Sequence, residues 1–159
     1  AINLIISVSY GISFYHAGQE IGLSKKNEDN TYNMGDSYNK FDYEMLDKRY
    51  DMALYLSSII KFKKTIKYNR HITSKYIANN VFFVNLDNGG LMIKLKELGE
   101  NYKNIIIVIN PTPNNLRIEL DSYYSGLVLY AGMIENSSLV VKTVFMNPYE
   151  VNIFAKLED

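Results

Sequence analysis

Cysteine and tryptophan are absent from the 159 residues, proline occurs three times, and the formal net charge is zero. Without cysteine there is neither a disulfide framework nor a thiolate metal site, although the compartment stays open because secreted enzymes also lack cysteine. Acidic and basic residues balance at 17 each, which removes any electrostatic argument for nucleic acid or an anionic membrane as partner. The opening apolar run Ile2, Leu4, Ile5, Ile6, Val8 is too short to span a bilayer and has no basic leader, so it fits neither a membrane anchor nor a signal peptide. With Ala1 rather than Met at its head, the run predicts a chain that opens inside a helix of something longer. What is present is ordinary for a folded protein: 47% hydrophobic and 21% charged residues. At this length roughly 68–70% of the unfolded surface can be buried.

Along the chain the texture changes once. Ile2–Tyr10 reads as the end of a buried helix stopped by Gly11, and Ile12–Tyr15 as a short buried parallel strand between Gly11 and Gly18. Residues 22–40 form a long polar loop dense in Asn, Asp, Ser and Gly, a kind of segment that is often functional. From about Asp42 to Lys64 the residues Leu46, Tyr50, Ala53, Leu56 and Ile60 recur at helical spacing, with acidic residues at the start and lysines at the end, in keeping with the helix dipole. Beyond Lys67 short strands follow: Val81–Leu86, Leu91–Lys96, Asn104–Asn110, Leu116–Leu120, Gly126–Ala131, Leu139–Phe145 and Glu150–Leu157, separated by turns such as Asp87-Asn88-Gly89-Gly90 and Pro111-Thr112-Pro113. Strands at this spacing predict an antiparallel sandwich. One parallel strand, one loop and one helix ahead of an all-β module make an odd whole, because the strand's backbone groups need neighbours on both sides.

The segment Gly11-Ile12-Ser13-Phe14-Tyr15-His16-Ala17-Gly18-Gln19-Glu20 resembles the eighth barrel strand of the alpha-amylase superfamily, and His16 to Glu20 resembles type I pullulanases in particular. Asp29 to Asn33, Asn39 to Tyr43, the helix end Ile59 to Lys64, and Asn101 to Asn104 leading into Asn110-Pro111 are similar to pullulanase patterns and occur in the same order. The chain departs from those patterns at Ser13 for Pro, Thr31 for Ser, Tyr43 for Trp and Lys63 for Arg. The resemblance implies an α+β chain: residues 1–67 as the remnant of a catalytic (β/α)8 barrel, with its last strand, loop and helix, and 68–159 as a C-terminal antiparallel β-sandwich. It also implies hydrolysis of α-1,6-glucosidic bonds in the intact enzyme, with no cofactor. A retaining glycosidase needs two carboxyl groups about 5–5.5 Å apart. In this superfamily those groups sit on strands that would precede residue 1, so no catalytic residue is assigned in the chain.

What the resemblance leaves here is one side of the active-site rim, because such barrels build their sites from loops at the C-terminal ends of strands. Asn30, Tyr32 and Asn33 are the candidates for hydrogen bonding and stacking against a glucose unit of an α-glucan, with Glu20 beside them. The competing reading is a loop whose Asn side chains satisfy its own turns and, for Gln19 and Glu20, hydrogen bonds that close the barrel. Tyr123, Tyr124 and Tyr130 are either sugar-stacking residues of the sandwich or, more commonly for tyrosine, packed ones. No metal is expected: His16 and Glu20 are four apart on a strand rather than a helix, and Asp29-x-Thr31-x-Asn33 has Met34 and Lys40 where a calcium loop needs Gly and Glu. His71 reads as a surface residue, and the Asn136-Ser137-Ser138 sequon matters only in a secreted protein. A freestanding, non-catalytic β-sandwich that binds carbohydrate or protein is the alternative function. Lacking the rest of the barrel, residues 1–65 are expected either to pack on the sandwich in a non-native way or to mediate self-association.

Overall fold

A computed structural model describes residues 2–66, 73–96, 102–130 and 133–156 of the chain. Its elements run α1 (Ile2–Val8), a 3-10 turn (Gln19–Ile21), α2 (Asp36–Asn39), α3 (Tyr43–Lys48), α4 (Tyr50–Thr65) and α5 (Ser74–Asn80). Then come β1 (Val81–Asn85), β2 (Leu91–Lys96), β3 (Asn104–Ile109), β4 (Leu116–Tyr130), β5 (Met133–Met146) and β6 (Val151–Lys156). The predicted helix from Asp42 to Lys64 is present but broken at Arg49, which leaves helical geometry at φ −124° and ψ 28°. Asp42 starts it as an N-cap, its carboxylate accepting from the backbone N–H groups of Glu44 at 3.0 Å and Met45 at 3.1 Å.

All strand pairs are antiparallel, in the order β1-β2-β3-β6-β4-β5. The expected strands Leu116–Leu120 and Gly126–Ala131 are one strand, β4, whose described part ends at Tyr130. Register shifts between Glu119 and Tyr124 and between Ser125 and Leu127 bend it, which is the usual effect of bulges. Only Ser125–Leu127 of β4 pairs with β6. The earlier half, still hydrogen-bonded to β5, folds back over the sheet, so that one continuous sheet supplies both layers of a sandwich.

Alternation along the strands builds two cores. On one face Ile105, Ile107 and Ile109 of β3 pack with Ile93, Leu95 and Ile153 against Leu4 and Val8 of α1 and Ile59 and Phe62 of α4. On the other, Ile106 and Val108 pack with Met92 and Phe154 against Leu116, Ile118, Leu120, Val144 and Met146 of the folded-back hairpin. β3 is therefore buried on both sides, as its unbroken run Ile105–Ile109 requires. The helices thus form a third layer on the sheet, and the segment expected to pack there or to self-associate is docked.

The β3–β4 and β5–β6 turns are held together by a fully buried polar side chain, Asn110. Its Nδ2 donates to the carbonyls of Asn114 and Asn147, each at 2.7 Å, and its Oδ1 accepts from the Thr112 N–H at 3.0 Å and hydroxyl at 2.8 Å. Both donors and both acceptor positions of the amide are in use. Asn110→Asp replaces two buried donors by an oxygen facing two carbonyls. It is expected to lower the unfolding free energy by about 2–6 kcal/mol, read as a shift of the urea midpoint. A loss below about 1 kcal/mol contradicts this role.

Candidate functional site

Of the rim candidates, Glu20 sits on a segment clamped between α1 and α4. Residues 12–16 form no strand, against the buried strand expected over Ile12–Tyr15, and Ile12 and Phe14 are 99% and 85% exposed. Side chains hold the segment instead. Ser13 donates to the Ile6 carbonyl at 2.9 Å, Ser7 and Tyr15 share a hydroxyl–hydroxyl bond, and Lys63 reaches from α4 to the Gly11 carbonyl at 3.0 Å and the Ser13 hydroxyl at 2.6 Å. Two positions that depart from the pullulanase pattern, Ser13 and Lys63, thus touch each other. Proline at 13 would offer a side-chain oxygen to neither partner. Partial burial moves the Lys63 amine below its usual range.

Gly18 and Gly22 then turn the chain into the long loop. Gly18 has φ 91°, and a Cβ there would lie 2.7 Å from Leu23. Gly22 has φ 65° and lets the Arg49 guanidinium donate to the carbonyls of Ile21 at 2.8 Å and Gly22 at 3.2 Å. Gln19 donates to the Asn3 side chain on α1 and accepts from the His16 N–H at 3.3 Å. Glu20 is half-buried, and its carboxylate accepts from the Gly18 N–H at 3.0 Å. Both side chains are engaged in shaping the turn.

Residues 30–33 lie on a separate, exposed turn, and no hydrogen bond among the described residues joins them to Glu20. Asn30 accepts from the Tyr32 N–H at 3.4 Å, Tyr32 is 82% exposed, and Asn33 faces solvent. The residue that makes this turn is Asn39. Its amide donates to the carbonyls of Thr31 at 2.6 Å and Met34 at 2.5 Å and accepts from the Thr31 hydroxyl at 2.9 Å and the Lys25 ammonium at 3.0 Å. Lys25 also donates to the Tyr38 carbonyl at 2.9 Å, and Lys26 sits 4.7 Å from the Tyr38 ring centre. Asn39 and Lys25 were not singled out as site residues, and only Asn39's place in the Asn39–Tyr43 motif hinted at its part. The loop thus holds one exposed aromatic face beside Asn30 and Asn33 on a turn fixed from behind, an arrangement able to hydrogen-bond and stack against a polyhydroxylated ring.

The sandwich tyrosines divide. Tyr124 is buried and donates to Asp121 at 3.0 Å, while Asp121 also accepts from Lys94 at 2.6 Å. Burial first, and then the Asp121 carboxylate, push the Tyr124 phenol up to about 12; the Lys94 hydrogen bond holds Asp121 below the usual carboxylate range. Tyr123 is exposed, with the Lys142 ammonium 5.9 Å from its ring centre. The side chains of Tyr130 and Asn136, like His71 and Lys67, lie outside the described residues. Among the described residues, no three His, Asp or Glu side chains gather as a metal-ligand set, and no helix is long and apolar enough to cross a membrane.

Asn39→Ala should release the turn without unfolding the chain, since Asn39 is exposed. Backbone order parameters at Thr31–Met34 are expected to fall from about 0.85 toward 0.6 or below while the sheet amides keep their values. Unchanged order at those residues contradicts the role given to Asn39.

No family model matches the chain. Pullulanase of Bacillus subtilis strain 168 is 26% identical over 147 residues, which are 90% of this chain and 20% of that protein. The solved pullulanase of Bacillus acidopullulyticus superposes with a TM-score of 0.81 at 28% identity, covering 97% of this chain and 20% of its own. The type I pullulanase of Bacillus subtilis, solved with maltose, gives 0.83 at 22% identity, covering 98% and 22%. The packing of α1 and α4 on the sheet is therefore an arrangement shared with intact enzymes rather than a non-native collapse. The chain spans about a fifth of the length of the relatives it matches. Over nearly all of its residues it is similar in sequence and fold to pullulanases, in the way a C-terminal fragment of such an enzyme would be.

Proposed function

We infer that the chain is the C-terminal portion of a pullulanase-like glycoside hydrolase that cleaves α-1,6-glucosidic bonds of pullulan, glycogen or starch-derived dextrins in the intact protein. Residues 1–67 are the last strand, loop and helix of its (β/α)8 barrel, and 68–159 its C-terminal β-sandwich. The observation that carries this reading is the coverage: 90% of the chain aligns with one fifth of a pullulanase. The bare apolar side chains of Ile12 and Phe14 support it, since a barrel strand without its neighbours leaves such residues in water.

Within the intact enzyme Asn30 and Asn33 hydrogen-bond glucose hydroxyls at the rim and Tyr32 stacks on a ring, while Glu20 shapes the turn that closes the barrel. Maltose in the solved Bacillus subtilis relative supports an α-glucan as the ligand. The fragment itself carries no nucleophile or acid, and so binds without cleaving. In isolation, the uncovered Ile12–Phe14 segment also provides a surface for self-association.

A reducing-sugar assay on pullulan tests the reading. The natural protein, longer than this chain, is expected to release maltotriose units, and residues 1–159 alone to release none. Tyr32→Ala in the natural protein is expected to raise KM about tenfold with a smaller change in kcat. A natural protein of this length with no activity overturns the proposal and leaves a freestanding binding module.

A further inference from the structure

The face of the β4–β5 hairpin turned away from both cores carries an ordered constellation that the rim reading does not use. Arg117 is paired in register with Phe145, and Glu119 with Thr143, so all four side chains stand on one face. Their neighbours Leu116, Ile118, Val144 and Met146 point the other way into the core. Phe145 is 74% exposed. Beside it, both oxygens of Glu119 are held: Oε1 accepts from Arg117 at 2.7 Å and Oε2 from the Thr143 hydroxyl at 2.9 Å. Phe145 and Thr143 also line a groove of about 370 Å³ together with Leu139, Asn152 and Ser137, while Arg117 and Glu119 stand outside it, across the ladder from Phe145 and Thr143.

We propose that this face is a second α-glucan-binding site, in which Phe145 stacks on a glucose ring while Arg117 and Glu119 hydrogen-bond its hydroxyls. A pyranose presents an apolar C–H face and an edge of hydroxyls that both donate and accept. The constellation matches that: a bare ring, a guanidinium with unused N–H donors, and a carboxylate with unused lone pairs, at adjacent register positions. The charges of Arg117 and Glu119 cancel, so an anion is opposed by the carboxylate and a cation by the guanidinium, whereas a neutral polyhydroxylated chain is opposed by neither. Because Glu119 is already fixed at both oxygens, little side-chain freedom is lost on binding.

The site lies on the far side of the sandwich from α1 and α4, and therefore away from the loop 22–40 and from the barrel expected to join there. It would retain long polysaccharide while the catalytic barrel works on it. The choice of α-glucan rests on the function proposed above, but the binding does not depend on catalysis.

Titration of residues 1–159 with maltohexaose, followed by amide chemical shifts, tests the site. Shifts at Arg117, Glu119, Thr143 and Phe145 are expected. Phe145→Ala, an exposed position whose loss leaves the cores intact, is expected to weaken binding about tenfold, and Glu119→Gln to weaken it less. Cellohexaose, whose chain is extended rather than helical, is expected to bind more weakly. Shifts confined to residues 22–40, unchanged affinity in Phe145→Ala, or equal binding of cellohexaose overturn the proposal. If the longer protein hydrolyses pullulan but Phe145→Ala binds normally, only this inference fails. If Phe145 is needed for maltohexaose yet the longer protein is inert on pullulan, only the enzymatic reading fails.

Discussion

β3 is the element on which the other layers depend. Its residues Ile105 to Ile109 are buried on both faces, odd numbers toward the helices and even numbers toward the folded-back hairpin. Either cover alone would leave half of that strand in water. At roughly 25 cal/mol per Å² of apolar surface, neither layer can be removed without loosening the other. Asn110, at the end of the same strand, ties the adjoining turns together through four hydrogen bonds and so fixes where the hairpin begins its return.

This arrangement sets out the functional surfaces. The helical layer carries the segment 9–22 and the loop behind it, because Lys63 and Arg49 of the α3–α4 region reach back to its carbonyls. The opposite surface belongs to the hairpin, where bulges in β4 swing Arg117 and Glu119 out over the second core. The sheet thus separates the helical layer, with the loop 22–40, from an outer face open to solvent.

Much of the fold was readable in the sequence because burial follows period. The alternation Leu116, Ile118, Leu120 is kept, with all three side chains buried, whereas the helical stripe from Leu46 to Ile60 is kept only in part: Leu56 is buried, Tyr50 and Ile60 face solvent, and the helix is interrupted at Arg49. Less readable were features set by three-dimensional contact. At the break Arg49 reaches to the carbonyls of Ile21 and Gly22, a contact across 28 and 27 residues that no local pattern encodes. The fusion of two expected strands into β4 depends on bulges around Asp121–Gly126 rather than on turn residues. In the loop, Asn30, Tyr32 and Asn33 were visible as polar and aromatic residues, but Asn39, which fixes them, acts through side-chain bonds across eight residues. Glu20 was visible by motif, whereas its bond to the Gly18 N–H is local and shapes the turn at 18–22. Phe145 was not legible as a surface aromatic because it lies inside an apolar run whose outward face is set only by its pairing with Arg117.

The central claim is that Ile12–Tyr15 is a barrel strand deprived of its partners. Amide hydrogen exchange at those residues, compared between this chain and the full natural protein, tests it directly. The account predicts rapid exchange in the 159-residue chain and strong protection in the longer protein, where both edges are paired. Equally rapid exchange in the longer protein would contradict it.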